Sequence, residues 1–267
     1  MTQVTRLIGV TVALSALAGA ALGDELEDVR KKISDAWAKQ TSLAAKYRTY
    51  TRVEYASVNV SSETRGEGVH EFARQGDKVR ARIELNAQTV NRAPDRVGHE
   101  EQTILSIIDG DVNYRMEQFR GEIRAIKLKA DPQATGAPDL ALDFHARTEN
   151  LKYIGEQSVG GRKVYVIEAT PKKLGESDAV KKALLYFDQE SGFLLRLESL
   201  TGDDRTVQLI EYTDIKLGVP IPEDRFVFTP PPGVEVFDGT QGVPPPPKPE
   251  RPTFKPAQPP ATQPAQP

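Results

Sequence analysis

The chain has 267 residues, with 35 Lys and Arg against 38 Asp and Glu, a net charge of −3 and no cysteine. That balance excludes a nucleic-acid binder working through a basic face. The missing cysteines exclude a disulfide framework, a thiol nucleophile, a thiolate metal site and lipid attachment at an N-terminal cysteine.

Arg6 is followed by an uncharged run from Leu7 to Leu17, and Ala21-Leu22-Gly23 places small residues where a signal peptidase reads. This predicts a signal peptide over 1–23, cleaved before Asp24, and a periplasmic location. The uncharged stretch 7–23 falls short of the roughly 20 residues a membrane-spanning helix needs. Next comes an apolar stripe at spacings of three and four, with Leu26, Val29, Ile33, Ala36, Trp37 and Leu43 on it. The stripe predicts a helix from Glu25 to Lys46.

The period then changes to two. Val79, Ala81, Ile83 and Leu85 alternate with polar residues, and so do Val112, Tyr114 and Met116, which predicts strands. Ile104 to Ile108 leads through Asp109-Gly110 into the Val112 strand, a hairpin signal. Four more runs follow, 163–170, 183–188, 193–200 and 206–217, and several of them carry apolar residues on both faces, as in Val164, Tyr165, Val166 and Ile167. Such a sheet is covered on both sides or encloses something. Between the two sets, Pro138 to Arg147 predicts a short helix with Leu140, Leu142, Phe144 and His145 turned inward. The expected fold is α+β: about ten or eleven antiparallel strands with two or three helices in one domain, 24–238.

From Pro244 to Pro267, 11 of 24 residues are proline. A segment so poor in backbone donors stays extended or coiled, so 239–267 is expected to be a disordered tail.

No nucleophile elbow, phosphate loop or His-Glu-x-x-His is present. His70-Glu71 and His99-Glu100-Glu101 look like fragments of metal sites. Neighbours on a strand point to opposite faces, however, so no metal, cofactor or catalytic residue is expected.

The end of the body, TVQLIEYTDIKLGVPIPEDRFVFTPPPGVEVFD over 206–238, resembles the C-terminal signature of the LolA-like family, which closes the final strands of an unclosed antiparallel barrel. Phe226, Phe228, Pro230, Pro231, Gly233, Val234 and Val236 stand at the motif positions, with Pro232 as an extra residue. Leu185-Tyr186-Phe187-Asp188 with Ser191-Gly192-Phe193 is similar to the family's strand-turn-strand, beneath which the carried molecule sits. Asp109-Gly110-Asp111 with Tyr114 is similar to its hairpin. The resemblance covers most of 24–238. It implies a single-domain unclosed antiparallel barrel with helices as lid or plug, and a non-catalytic monomeric carrier (or chaperone) of acylated lipoproteins or other lipids. Membrane-bound donor and acceptor proteins would be its partners. Relatives of the RseB group sense such ligands and control a protein partner, the alternative role. The resemblance also implies an arginine that tethers the lid, for which Arg80 and Arg82 are candidates on the side opposite their strand's apolar face.

Combined with the alternation, this places the acyl chain in a cavity lined by Val79, Ala81, Ile83, Leu85, Val112, Tyr114 and Met116. They would share one face looking toward Trp37, Leu140 and Phe144. Arg80, Arg82, Arg115 and Glu117 would then meet solvent outside. The same apolar residues could instead fill a solid core.

Overall fold

The computed structural model describes residues 13–131, 137–173 and 180–240. Helix α1 (Ala13–Ala38) opens it and passes the expected cleavage point without a break. The helix ends eight residues earlier than the stripe predicts. Gln40 N–H donates to Trp37 O at 3.0 Å, and the Gln40 side-chain amide donates to Ala36 O, together satisfying carbonyls of the last turn. Leu43 belongs instead to strand β1 (Ser42–Tyr55), where Leu43, Ala45 and Tyr47 are buried at alternate positions. A period of two over β-branched and aromatic residues overrides the helical spacing there.

Strands β2 (Val60–Gln75), β3 (Lys78–Ala93), β4 (Arg96–Asp109), β5 (Val112–Phe119) and β6 (Glu122–Lys129) continue as a meander. Helix α2 (Pro138–Thr148) leads into a second meander: β7 (Glu149–Val159), β8 (Arg162–Pro171), β9 (Lys182–Asp188), β10 (Leu194–Leu200) and β11 (Thr206–Leu217). Pairing of β1 with β11 joins the two into one sheet, ordered β12-β6-β5-β4-β3-β2-β1-β11-β10-β9-β8-β7. The sheet is unclosed. It has twelve described strands rather than ten or eleven, and β12 (Val236–Asp238) runs parallel to β6, so it is mixed rather than purely antiparallel. Predicted segments 1–12 and 241–267 lie outside the described residues.

The core lies on the face that carries the helices. Val29 and Ile33 of α1 and Leu142 of α2 pack with Ile167, Leu185 and Phe187. Nearby, Trp37 packs on Phe72 and Phe193 at ring distances of 4.8 and 5.9 Å. Arg30 to Asp143 and Ser34 to Asp139 tie the two helices together at 2.6 and 2.7 Å.

On the opposite face, the segment after β11 crosses the sheet as a strap toward β12. The resemblance implies strands here, yet Phe226 ends a 3-10 turn, Glu223–Phe226, and Phe228 lies in extended chain without strand pairing. Arg80 pairs with Glu223 at 2.6 Å, and Arg82 donates to Arg225 O at 3.1 Å. Arg225 reaches Glu71 and Glu84 at 2.9 and 3.2 Å. Tyr114 stacks on Phe228 at 5.3 Å. Arg80 and Arg82 are therefore not solvent-facing: they hold the strap, with side chains 12% and 16% exposed.

Candidate functional site

Register decides which side chains share a face. Ile83 sits opposite His70 on one side and Ser106 on the other, and Ser106 sits opposite Arg115. Ala81, Ile83 and Leu85 therefore share the helix-bearing face with Arg115 and Glu117. Val112, Tyr114 and Met116 lie on the strap face, contrary to the shared cavity wall expected. Arg115 and Glu117, expected outside, are half-buried and paired with each other. Trp37 and Ala81 are buried in the core, whereas Val79, Ile83 and Leu85 are half-buried. In α2 the buried residue is Leu142. Leu140 is half-buried, and Phe144 is 51% exposed because two helical residues turn it about 200° from Leu142. Of the ten expected cavity residues, only Tyr114 lines one of the three grooves found among the described residues: a smaller one of about 490 Å³ under the strap.

A groove of about 900 Å³ lies on the strap face beyond the strap and spans six neighbouring strands, β4-β3-β2-β1-β11-β10. Its floor is two cross-strand rows. Glu101, Gln88, Arg65, Tyr50, Leu209 and Glu198 stand opposite one another in the first. Thr103, Asn86, Glu67, Arg48, Glu211 and Arg196 form the second. These are the polar partners of the apolar alternation, so their sequence signal was present. It reads as a solvated outer surface until the sheet is folded.

The arginines of the groove are held. Arg48 donates to Glu211 at 2.7 Å, Arg65 to Glu63 at 2.9 Å and Arg196 to Glu198 at 2.7 Å. Arg65 also lies over the Tyr50 ring at 5.2 Å, and Arg196 over Tyr186 at 5.6 Å. Burial pushes the Tyr186 phenol upward, so it stays protonated as a donor. Two carboxylates lack an ion pair. Glu67 has none among the described residues, and Glu101 accepts only a long 3.5 Å contact from the Gln88 amide.

His70 is elsewhere, buried on the helix-bearing face between Phe193 and Tyr212, and burial lowers it to about 4. Among the described residues no group of three or more His, Asp or Glu is placed to hold a metal ion, and no helix is long and apolar enough to cross a membrane.

The open sheet thus carries helices on one face and a polar trough on the other. No family model matches the chain. An uncharacterized protein of Methanocaldococcus jannaschii is 30% identical over 146 residues, which are 54% of this chain and 41% of that one. Among solved structures, the complex of Pseudomonas aeruginosa MucA/MucB is similar at 18% identity, covering 76% of this chain and 60% of that one, with a TM-score of 0.41. A LolA superfamily protein of Nitrosomonas europaea is similar at 15% identity, covering 76% of this chain and 97% of that one, with a TM-score of 0.28. The solved structures that the chain is similar to thus include one named for the family its sequence resembles. The chain spans less than two thirds of the archaeal relative and of the MucB chain.

Proposed function

We propose that the protein is a non-catalytic binding protein of the periplasm, and that its six-strand groove receives an extended polypeptide segment of a partner. The observation behind this is the pair of polar cross-strand rows. Six strands about 4.8 Å apart give a trough roughly 24 Å long, the span of about seven extended residues. Asn86, Gln88 and Thr103 offer amide and hydroxyl groups to a peptide backbone, while Tyr50 and Leu209 offer surface to its side chains. Thr103 already donates to Asn86 Oδ1 at 3.0 Å, but an acyl chain would leave the spare hydrogen-bonding capacity of the Asn86 and Gln88 amides unmet, at a cost of about 1–3 kcal/mol each. Fluorescence anisotropy with a labelled library of unstructured peptides tests the reading. Saturable binding is expected, weakened at least tenfold by Gln88→Trp, which fills the trough. No binding at concentrations on the order of 10 µM, or binding indifferent to Gln88→Trp, would overturn it.

A second reading, carriage of the acyl chains of lipoproteins or other lipids between membrane-bound donor and acceptor proteins, is favoured by a different observation. On the helix-bearing face half-buried apolar residues stand opposite one another, Leu85 against Ile104 and Leu197 against Ile210. A chain laid along them would gain about 0.8 kcal/mol per buried methylene, with α1 displaced as the lid. Titration of a fluorescent fatty acid decides it. Stoichiometric binding abolished by Ile83→Asp supports carriage, and absence of binding removes it.

A further inference from the structure

We infer that the groove docks the protein's own basic tail segment, residues 248–255, which therefore competes in cis with any partner polypeptide. The inference deepens the polypeptide reading of the groove and rests on it.

The strap shows what this face of the sheet accepts. It is a stretch of this same chain in which Arg225 enters between two glutamates, Glu71 and Glu84, and Arg82 binds a main-chain carbonyl. Three residues past Arg225, Phe228 stacks on Tyr114. Farther along the same face, in the open trough, two acids stand without such a partner: Glu67 and Glu101 lack ion pairs among the described residues. Tyr50, covered on one side by Arg65, stands in the first row on β1. The chain holds a second segment of matching order, Lys248-Pro-Glu-Arg251-Pro-Thr-Phe254-Lys255, again with Phe three residues after Arg. The lining holds Glu67, Glu101 and Glu198 against Arg48, Arg65 and Arg196. Arg48 and Arg65 are already paired with Glu211 and Glu63 beside it, and Arg196 with Glu198, which leaves Glu67 and Glu101 as its uncompensated charges. The tail segment has three cations and one acid, so the charges are complementary.

The reach is sufficient. Asp238 pairs with Lys127 on β6, two strands from β4, and Lys127 lies level with Tyr114 and Ile107. Glu101 is six residues back along β4 from Ile107, and β12 is three strands from β4, so Asp238 and Glu101 are roughly 25 Å apart across and along the sheet. Eight residues from Thr240 to Lys248 span up to about 25 Å, and Arg251 reaches about 34 Å. The chain leaves β12 heading away from the trough, and Asp238 accepts from both the N–H and the hydroxyl of Thr240, turning it there. Tethering makes the segment's effective concentration high without any new contact.

The absence of cysteine allows a clean test in the full chain. Spin labels are attached at Thr253→Cys and at Asp95→Cys in the β3–β4 turn, and the interlabel distance distribution is measured. A single narrow peak is expected, broadening when Glu67→Lys and Glu101→Lys are combined or when an excess of peptide 246–257 is added. A broad distribution in the parent, or a narrow peak that survives the charge reversal, overturns the inference. If the parent is broad while foreign peptides still bind in the groove, only self-docking falls. If nothing enters the groove, the polypeptide reading falls with it.

Discussion

The imidazole of His70 lies 5.8 Å, centroid to centroid, from the ring of Tyr212, and neither imidazole nitrogen has a hydrogen-bond partner among the described residues. Phe193 flanks it at the same distance, and Trp37 of α1 packs on Phe193 and Phe72, so the histidine sits inside the aromatic cluster that seats the helix.

Burial lowers His70 from 6.5 to about 4. The folded state thus holds fewer protons than the unfolded chain between those values. Its stability contribution is complete above pH 6.5 and is lost as pH falls toward 4, by roughly 3 kcal/mol. Carboxylates titrate in the same range, so the quantity to measure is the difference between parent and His70→Leu in urea unfolding across pH. The parent should lose stability more steeply between 6.5 and 4. Parallel profiles would show that His70 keeps its ordinary value.

Gly192 joins β9 to β10 at φ +72, and a Cβ there would stand 2.2 Å from Ile33 O and 2.8 Å from Trp37 N. Here the turn resembling the family's strand-turn-strand has α1 itself pressed against it. Gly192→Ala should cost more than about 2 kcal/mol, because strain and helix displacement add, and should shift Trp37 fluorescence. Gly233, at φ +79 with nothing within 4 Å, isolates the strain alone: Gly233→Ala should cost about 1 kcal/mol and leave the fluorescence unchanged.

Asp188, 1% exposed, accepts both arms of Arg162 at 3.0 and 2.8 Å, and also the N–H and hydroxyl of Ser191. Asp188→Ala leaves those donors unsatisfied and should cost about 3–5 kcal/mol in thermal or chemical unfolding. Glu190 pairs with the same Arg162 from the surface, so Glu190→Ala should cost less than about 1 kcal/mol. Equal costs would contradict the burial argument.

Arg225 is the strap's main anchor. Arg225→Ala should raise amide hydrogen exchange in 223–236 at least tenfold, while β8 to β10 keep their protection. Arg82→Ala should act in the same direction more weakly, since it loses one carbonyl contact. Unchanged exchange would mean that the Arg80–Glu223 pair, the Arg82 contact to the main chain and the Tyr114 stack hold the strap without it.

The Asp109-Gly110 hairpin, the Ala81 and Val112 strands and the α2 helix were legible because local chemistry specifies them: turn residues with positive φ, strict alternation, and helical spacing. Strand β1 was misread over its first residues because Leu43 fits both periods. The strap was misread because Phe226 and Phe228 look like strand residues until Arg80, Arg82 and Tyr114 supply their surroundings.

By itself, the sequence determined the two meanders' alternating faces, the absence of thiol chemistry and a proline-rich end. Which face became the groove was decided only by tertiary structure, for a definite reason. A two-residue turn pairs an odd position with an even one, so Ile83 stands opposite Ser106 and Ser106 opposite Arg115. Two such turns return odd to odd, setting Ile83 with Arg115 and leaving Met116 on the other side. Alternation says that two faces exist. Register between strands, curvature across six of them, and the choice of face by α1 and the strap say which one a ligand can enter.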